Sequence, residues 1–378
     1  MKIALIAPPW IPLPPKGYGG IEAIVYNLSE GLRSKGHEVI VYATGDSKVK
    51  SELRYFYSKS LGIDMLLDRG LGLLFLNHIN NALKTLPEDV DIIHNHCEYY
   101  GMHLLDHIKT PFLHTLHGSF SLDPKKDSIE NRSVRAYLET LHMFNDHPFV
   151  SISNFQRNGS PFLNYVGTVY NAINIENFAF YPTSLDHLSW LGRYSPIKGL
   201  DVAIKLAKSI NKKLIISSSV HKQRQEDFDR RIMPEIDGKR IVLAEKQEGN
   251  LEKSKFLGES KLFLFPIQWE EPFGLVMIEA MACGTPVVAF ARGSVPEIIK
   301  DGETGFIVNS SDDDIRGEWI IKKTGIDGLC EAVEKIYSMP KVEYLQMRKN
   351  SRAHVKKNFT VERMVDEYEK VYEKILNR

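Results

Sequence analysis

Short apolar, β-branched runs alternate with helical patterns along this chain, and the alternation begins afresh half-way, which leaves few folds open. Residues 2–7 are an apolar run that ends in a Pro- and Gly-rich loop, Pro8 to Gly20. Ile21, Ile24, Val25, Leu28 and Leu32 then recur at helical spacing, Gly36 stops them, and Val39 to Tyr42 is a second β-branched run. Strand, loop, helix, strand is the unit of a parallel sheet, because parallel neighbours need a crossover. Residues 91–94, 111–115, 149–153 and 168–170 continue as strands, and 171–182 read as a linker. The series restarts with a strand at 187–191 and a helix at 200–210. Strands at 213–217, 241–243, 262–265, 286–289 and 306–308 follow. Residues 360–376 carry Val361, Val365, Tyr368, Val371, Tyr372 and Ile375 on one helical face, with Thr360 placed to cap it. Residues 310–325, with Asp312, Asp313 and Asp314, read as a surface insertion.

The pattern predicts an α/β protein of two Rossmann-like, doubly wound domains that face a central cleft. The boundaries fall at 1–174 and 175–359, with a terminal helix at 360–378. A length of 378 residues agrees, since single cores stop growing at about 250–300 residues. Lys plus Arg is 48 and Asp plus Glu is 48, so the basic excess of a general nucleic-acid binder is missing. Cys97, Cys283 and Cys330 are too few and too scattered for a disulfide framework or a zinc knuckle, and they suit a reducing cytoplasm. The opening apolar run is shorter than the roughly 7–15 residues of a signal-peptide core and reads as a buried first strand. No apolar stretch reaches the ~20 residues of a membrane span. The segment from Leu61 to Leu76 carries Asp64, Asp68 and Arg69 and reads as a surface helix packed on the core, so membrane contact is not expected.

Three motifs carry chemistry. The first runs from Glu270-Glu271-Pro272-Phe273-Gly274-Leu275 through Glu279 to Gly284. Pro272 suits a helix start and Gly284 its end. Gly274 in the first turn lets a ligand approach the backbone, where free N–H groups and the helix dipole hold phosphate. On a helix, Glu271 and Glu279 stand roughly 12 Å apart along the axis, too far to act on one bond and suited to gripping two ends of one extended ligand. The plain alternative is a buried helix whose glutamates cap it or face solvent. The second motif, Gly192-Arg193 with Lys198-Gly199, follows a strand and opens a helix. A guanidinium and an ammonium there suit a diphosphate and a departing nucleotide without a metal, though two ordinary surface charges would look the same. The third, Gly17-Tyr18-Gly19-Gly20-Ile21-Glu22, lacks the third glycine of a dinucleotide fingerprint, and the second strand ends in Tyr42-Ala43-Thr44 and not at an acid. Contact between phosphate and the Gly19-Gly20 backbone remains, against a simple flexible turn. His94, His96 and His114 read as structural, and no carboxylate spacing makes a metal site of them with Glu98. His117, before Gly118 at a strand's carboxyl end, is placed to donate to a sugar hydroxyl. Asp89-Val90-Asp91 and Asp227-Phe228-Asp229 are decoys, the first at the wrong end of a strand and the second in a charged segment.

In this order the motifs resemble the group 1 glycosyl transferases, glycosyltransferase family 4, of the GT-B fold, over essentially the whole chain. The resemblance also draws on Ser151-Ile152-Ser153 and Asn171-Ala172-Ile173-Asn174. It implies a retaining hexosyltransferase that uses a nucleotide-sugar donor, commonly UDP-linked, with no metal or other cofactor. Glu279 would hold the ribose hydroxyls, and Arg193 and Lys198 the diphosphate. Amides near Gly19, Gly20, Gly274 and Leu275 would help. Glu271 would contact the sugar hydroxyls, and His117 the sugar at its 6-position, with a catalytic role. The terminal helix would cross back onto the N-terminal domain. The chain departs from the family at Ala172, where Gly is usual, and at Gly293-Ser294, where Gly-Gly is common. The acceptor and the oligomeric state stay open. A nucleotide-sugar epimerase, a glycoside phosphorylase and a non-catalytic nucleotide-sugar binder are the alternatives.

Overall fold

The computed structural model describes residues 1–62, 70–119 and 132–377. The chain divides into two compact units, Met1–Ala172 with Val361–Arg378, and Ile173–Thr360. In the first unit seven strands form one parallel sheet: β1 (Lys2–Ile6), β2 (Glu38–Ala43), β3 (Glu52–Tyr55), β4 (Ile92–Asn95), β5 (Phe112–Thr115), β6 (Phe149–Ser151) and β7 (Tyr165–Thr168). Their order is β3-β2-β1-β4-β5-β6-β7. The central strands are continuous apolar runs because helices cover both faces of a parallel sheet. Ile3, Leu5 and Ile6 of β1 and Ile92 and Ile93 of β4 are fully buried. The direction of winding reverses between β1 and β4, the position at which sheets of this kind take their ligands.

The second unit repeats the plan with β8 (Leu188–Arg193), β9 (Leu214–Ser219), β10 (Ile241–Leu243), β11 (Leu262–Phe265), β12 (Val287–Phe290) and β13 (Gly305–Val308). Their order is β10-β9-β8-β11-β12-β13, all parallel, with the reversal between β8 and β11. Trp190, Leu264, Val288 and Phe306 lie in a core closed by the helices Leu200–Ser209 and Gly325–Ser338.

The helix Val361–Leu376 belongs to the first unit. It packs on the helix Gly20–Ser34 so closely that a Cβ on Gly31 would stand 2.5 Å from Val365 Cγ2. Tyr368 and Tyr372 lie buried beneath it.

Three local readings need correction. β3 was not predicted, because Glu52-Leu53-Arg54-Tyr55 is a half-exposed edge without an apolar run. The strand expected at 168–170 is β7, which ends at Thr168. The helix expected from Pro272 starts at Leu275, since Pro272-Phe273-Gly274 is used to turn the chain. Of the segment Leu61 to Leu76, residues 63–69 lie outside the described residues. The helix Leu71–Lys84 that follows buries Phe75, Ile79 and Ala82 in the core of the first unit. Among the described residues no helix is long and apolar enough to cross a membrane.

Candidate functional site

In the second unit the chemistry gathers at the reversal between β8 and β11. β8 ends on Arg193, and Lys198 closes a short turn, Pro196–Lys198. β11 ends at Phe265, and a loop leads from it to the helix Leu275–Ala282. Lys198 Nζ meets Glu271 Oε2 at 2.5 Å, and Trp269 Nε1 donates to the same oxygen at 2.9 Å. The Lys198 ammonium also lies 4.9 Å from the centre of the Trp269 ring. Glu271 is buried, so its charge needs these partners. Glu279, further along the helix, accepts from Lys253 Nζ at 2.7 Å, and Lys253 comes from the helix Asn250–Gly258. Arg193 Nη1 lies 3.1 Å from His221 Nε2.

Gly274 caps the helix with φ +83°, a left-handed conformation that costs any other residue free energy. The Leu275 and Val276 amides head the helix at the positive end of its dipole, and the Met277 amide closes the first turn on Gly274 O at 3.0 Å. Because Glu271 sits in the loop ahead of the helix, the helical rise does not set its distance from Glu279. The unit thus brings Arg193, Lys198, Glu271, Gly274 and Leu275 to one sheet edge, with Glu279 on the helix behind it. Trp269 and Lys253 are additions, and no motif in the sequence marked either of them.

In the first unit Gly19 and Gly20 follow β1 at its reversal, and Gly19 caps the helix Gly20–Ser34. Glu22 in the first turn is buried, and Oε1 has no partner among the described residues. Desolvation pushes its pKa up to about 7. His117 follows β5, and its ring stacks on that of His96, with Nε2 2.9 Å from His96 Nδ1. Loss of water lowers the His117 pKa to about 3, so the ring is neutral at physiological pH. Among the described residues His96 Nε2 is buried without a partner. Burying a bare lone pair there is less costly than burying an unpaired N–H. His96 therefore donates from Nδ1, and His117 keeps its own proton on Nδ1; this tautomer is assigned from the network.

Glu98 holds the backbone of that histidine. Both carboxylate oxygens lie 3.1 Å from the His117 amide, and Glu98 itself adopts φ +51°. Burial pushes its pKa up to about 8, against the pull of the amide. Beneath it, His94 bonds to Tyr372 Oη at 2.8 Å and to Thr115 Oγ1 at 2.7 Å, and Tyr368 Oη meets Thr115 Oγ1 at 3.0 Å. His114 bridges Asn95 and His147, and His147 reaches Asp106. These histidines are spent on neighbouring side chains of the interior. Among the described residues no group of three or more His, Cys, Asp or Glu side chains is arranged to hold a metal ion. The two Asp-x-Asp strings anchor structure: Asp89 and Asp91 hold Lys2, and Asp227 accepts from Tyr194 at 2.8 Å.

The family profile described as "Glycosyl transferases group 1" matches residues 188–354, and that described as "Glycosyltransferase Family 4" matches residues 18–158. The chain belongs to the group 1 glycosyltransferases of family 4. An uncharacterized glycosyltransferase of Methanocaldococcus jannaschii is 27% identical over 306 residues, which cover 78% of this chain and 81% of that one. The phosphatidyl-myo-inositol mannosyltransferase of Mycolicibacterium smegmatis is 24% identical over 83% of this chain and 82% of its own. The fold matches the sucrose-phosphate synthase of Thermosynechococcus elongatus with a TM-score of 0.79 at 18% identity, covering 100% and 99% of the two chains. It matches Anabaena HepE in complex with UDP-glucose with a TM-score of 0.70 at 17% identity, covering 100% of each. The architecture is that of these GT-B glycosyltransferases.

Proposed function

We propose that this protein is a retaining glycosyltransferase that moves a hexosyl group from a UDP-sugar to an acceptor hydroxyl without a metal ion. The observation that carries the reading is the pair of buried glutamates at the β8–β11 reversal, each held by its own lysine, Glu271 ahead of a helix N-terminus and Glu279 within that helix. Glu271 and Glu279 then bind the two ends of the donor, Glu279 the ribose hydroxyls and Glu271 the sugar hydroxyls. Lys198 leaves Glu271 when donor enters and turns, with Arg193, to the diphosphate. Amides at Gly274 and Leu275, and at Gly19 and Gly20 in the first unit, add hydrogen bonds to phosphate. These groups match the charge that builds on the leaving nucleotide, which is why no metal is needed. His117 donates its Nδ1 proton to a sugar hydroxyl and orients the ring. The acceptor oxygen attacks the anomeric carbon on the face from which the phosphate leaves. The bond to the β-phosphate breaks, and the departing oxygen takes the acceptor's proton.

The family supports a transferase, and neighbours of similar fold were solved with UDP-glucose and with ADP. Three cysteines without disulfide partners suit the reducing cytoplasm. The test is acceptor-free turnover of UDP-glucose, UDP-N-acetylglucosamine, GDP-mannose and ADP-glucose in the presence of a chelator, read as released nucleotide. One donor, UDP-linked, is slowly hydrolysed by wild type, and Glu279→Ala and His117→Ala slow that release by roughly 10²-fold. Binding without release by wild type favours a non-catalytic binder. Release that stops with the chelator removes the metal-free mechanism.

A further inference from the structure

Residues 310–324, a segment without strand or long helix, reach back to the loop that carries Glu271. Arg316 grips Glu270 with both ends of its guanidinium, Nη1 to Oε2 at 2.7 Å and Nη2 to Oε1 at 2.7 Å. Arg316 Nε also holds Asp314 at 2.7 Å, and Asp314 meets Arg292 at 2.7 Å. Arg292 returns to Glu270 at 3.3 Å, closing a ring of two cations and two anions. All four side chains are three-quarters or more buried. The middle of the segment is tied down as well. Asn309 Oδ1 accepts from the Arg316 amide and from Trp319 Nε1, and Asp301 accepts from the Ile320 amide.

The ring bears directly on the backbone of Glu271. The Gly293 amide donates to Glu270 Oε2 at 2.8 Å, and the Ser294 amide donates to Glu271 O at 2.9 Å. Ser294 Oγ donates to Phe273 O at 2.8 Å. A Cβ on Gly293 would stand 2.2 Å from Glu271 O, so this second loop lies flat against the first. Glycine is required at 293 by contact with residue 271, and the Ser294 hydroxyl is in use on Phe273 O.

We propose that the 310–324 segment is a clasp on the sugar-binding loop, and that Arg316 is a positioning residue that fixes Glu271 through Glu270. The proposal rests on the reading of Glu271 as a ligand of the donor sugar. A bidentate fork sets both distance and angle of its partner, and a lysine in its place supplies charge without the angle. The clasp therefore acts on recognition of the sugar and leaves the nucleotide-binding groups, Glu279 among them, in place.

Two measurements on the full chain test this. In Arg316→Ala, hydrogen exchange of the Gly293 and Ser294 amides rises about 10-fold while the strands of the second unit stay protected. Unchanged exchange at those amides, or loss of protection across the whole unit, overturns the clasp. The second measurement compares the Kd for UDP with that for UDP-glucose, and the Kd for GDP with that for GDP-mannose, in wild type, Arg316→Ala and Arg316→Lys. Whatever affinity the sugar adds in wild type falls about 10-fold in the Ala variant and is only partly restored by Lys, while the Kd for the bare nucleotide stays within about 2-fold. An equal loss for nucleotide and nucleotide sugar overturns a role at the sugar. Wild type that binds none of the four probes overturns the donor-site reading itself; the exchange result, which needs no ligand, separates that failure from failure of the clasp.

Discussion

Glu22 places a buried carboxyl in the first turn of a helix with one oxygen unpartnered among the described residues, and its proton responds to pH. Its pKa is raised from 4.5 to about 7, so the folded chain keeps this proton where the unfolded chain has lost it. Stability from this group is full below pH 4.5, falls as pH rises, and levels off above about 7. Glu22→Gln keeps the shape and removes the titration. The variant should gain on wild type between pH 4.5 and 7, by about 3 kcal/mol at most, in urea unfolding followed across that range. A gap that stays flat with pH refutes the assignment. The same scale shows what a sequence conceals. Arg193, Lys198, Glu271 and His117 stand out because they follow strands. Glu98 does not, because nothing in Asn95-His96-Cys97-Glu98 signals its positive φ or its reach to the His117 amide. Lys253 lies in a helix of weak amphipathic character and finds Glu279 only through the fold.

Among the elements, the helix Leu275–Ala282 is the one whose start matters most. Its cap, Gly274, is left-handed, and a Cβ there would approach Met277 Cε to 2.7 Å. Gly274→Ala should cost roughly 1–2 kcal/mol in thermal unfolding and weaken donor binding measured by calorimetry. A variant with unchanged donor affinity would show that these amides do not touch phosphate. The strands were legible because a buried parallel strand is an unbroken apolar run, as in Leu262-Phe263-Leu264-Phe265. β3 was not, since an edge strand has solvent on one side and no such run. The helix start was misplaced for a related reason: Pro at a first turn and Pro in a preceding loop look alike in a string, and only the φ of Gly274 separates them. The 310–324 segment has charges that read as solvated until Glu270 and Arg292 are brought to it.

For the whole molecule, the helix Val361–Leu376 decides when the first unit is complete. Its apolar face is legible as a helix from the spacing, but that spacing says nothing of where the Tyr368 and Tyr372 hydroxyls go. In the fold they satisfy Thr115 and His94 in the interior. Tyr372→Phe leaves His94 Nδ1 buried without a partner, at a cost of about 1–3 kcal/mol. Hydrogen exchange resolved by peptide should show the loss in the first unit and leave the second unchanged; an equal loss in both contradicts this placement. The position of this helix in the chain also orders biosynthesis. A ribosome delivers residues 1–172, then the whole of 173–360, and only then the segment that closes the first sheet's interior. Domains generally fold as they emerge, at ~5–20 residues per second. Here the second-made half can finish first, and for roughly ten seconds or more the nascent first half waits with His94 and Thr115 unsealed.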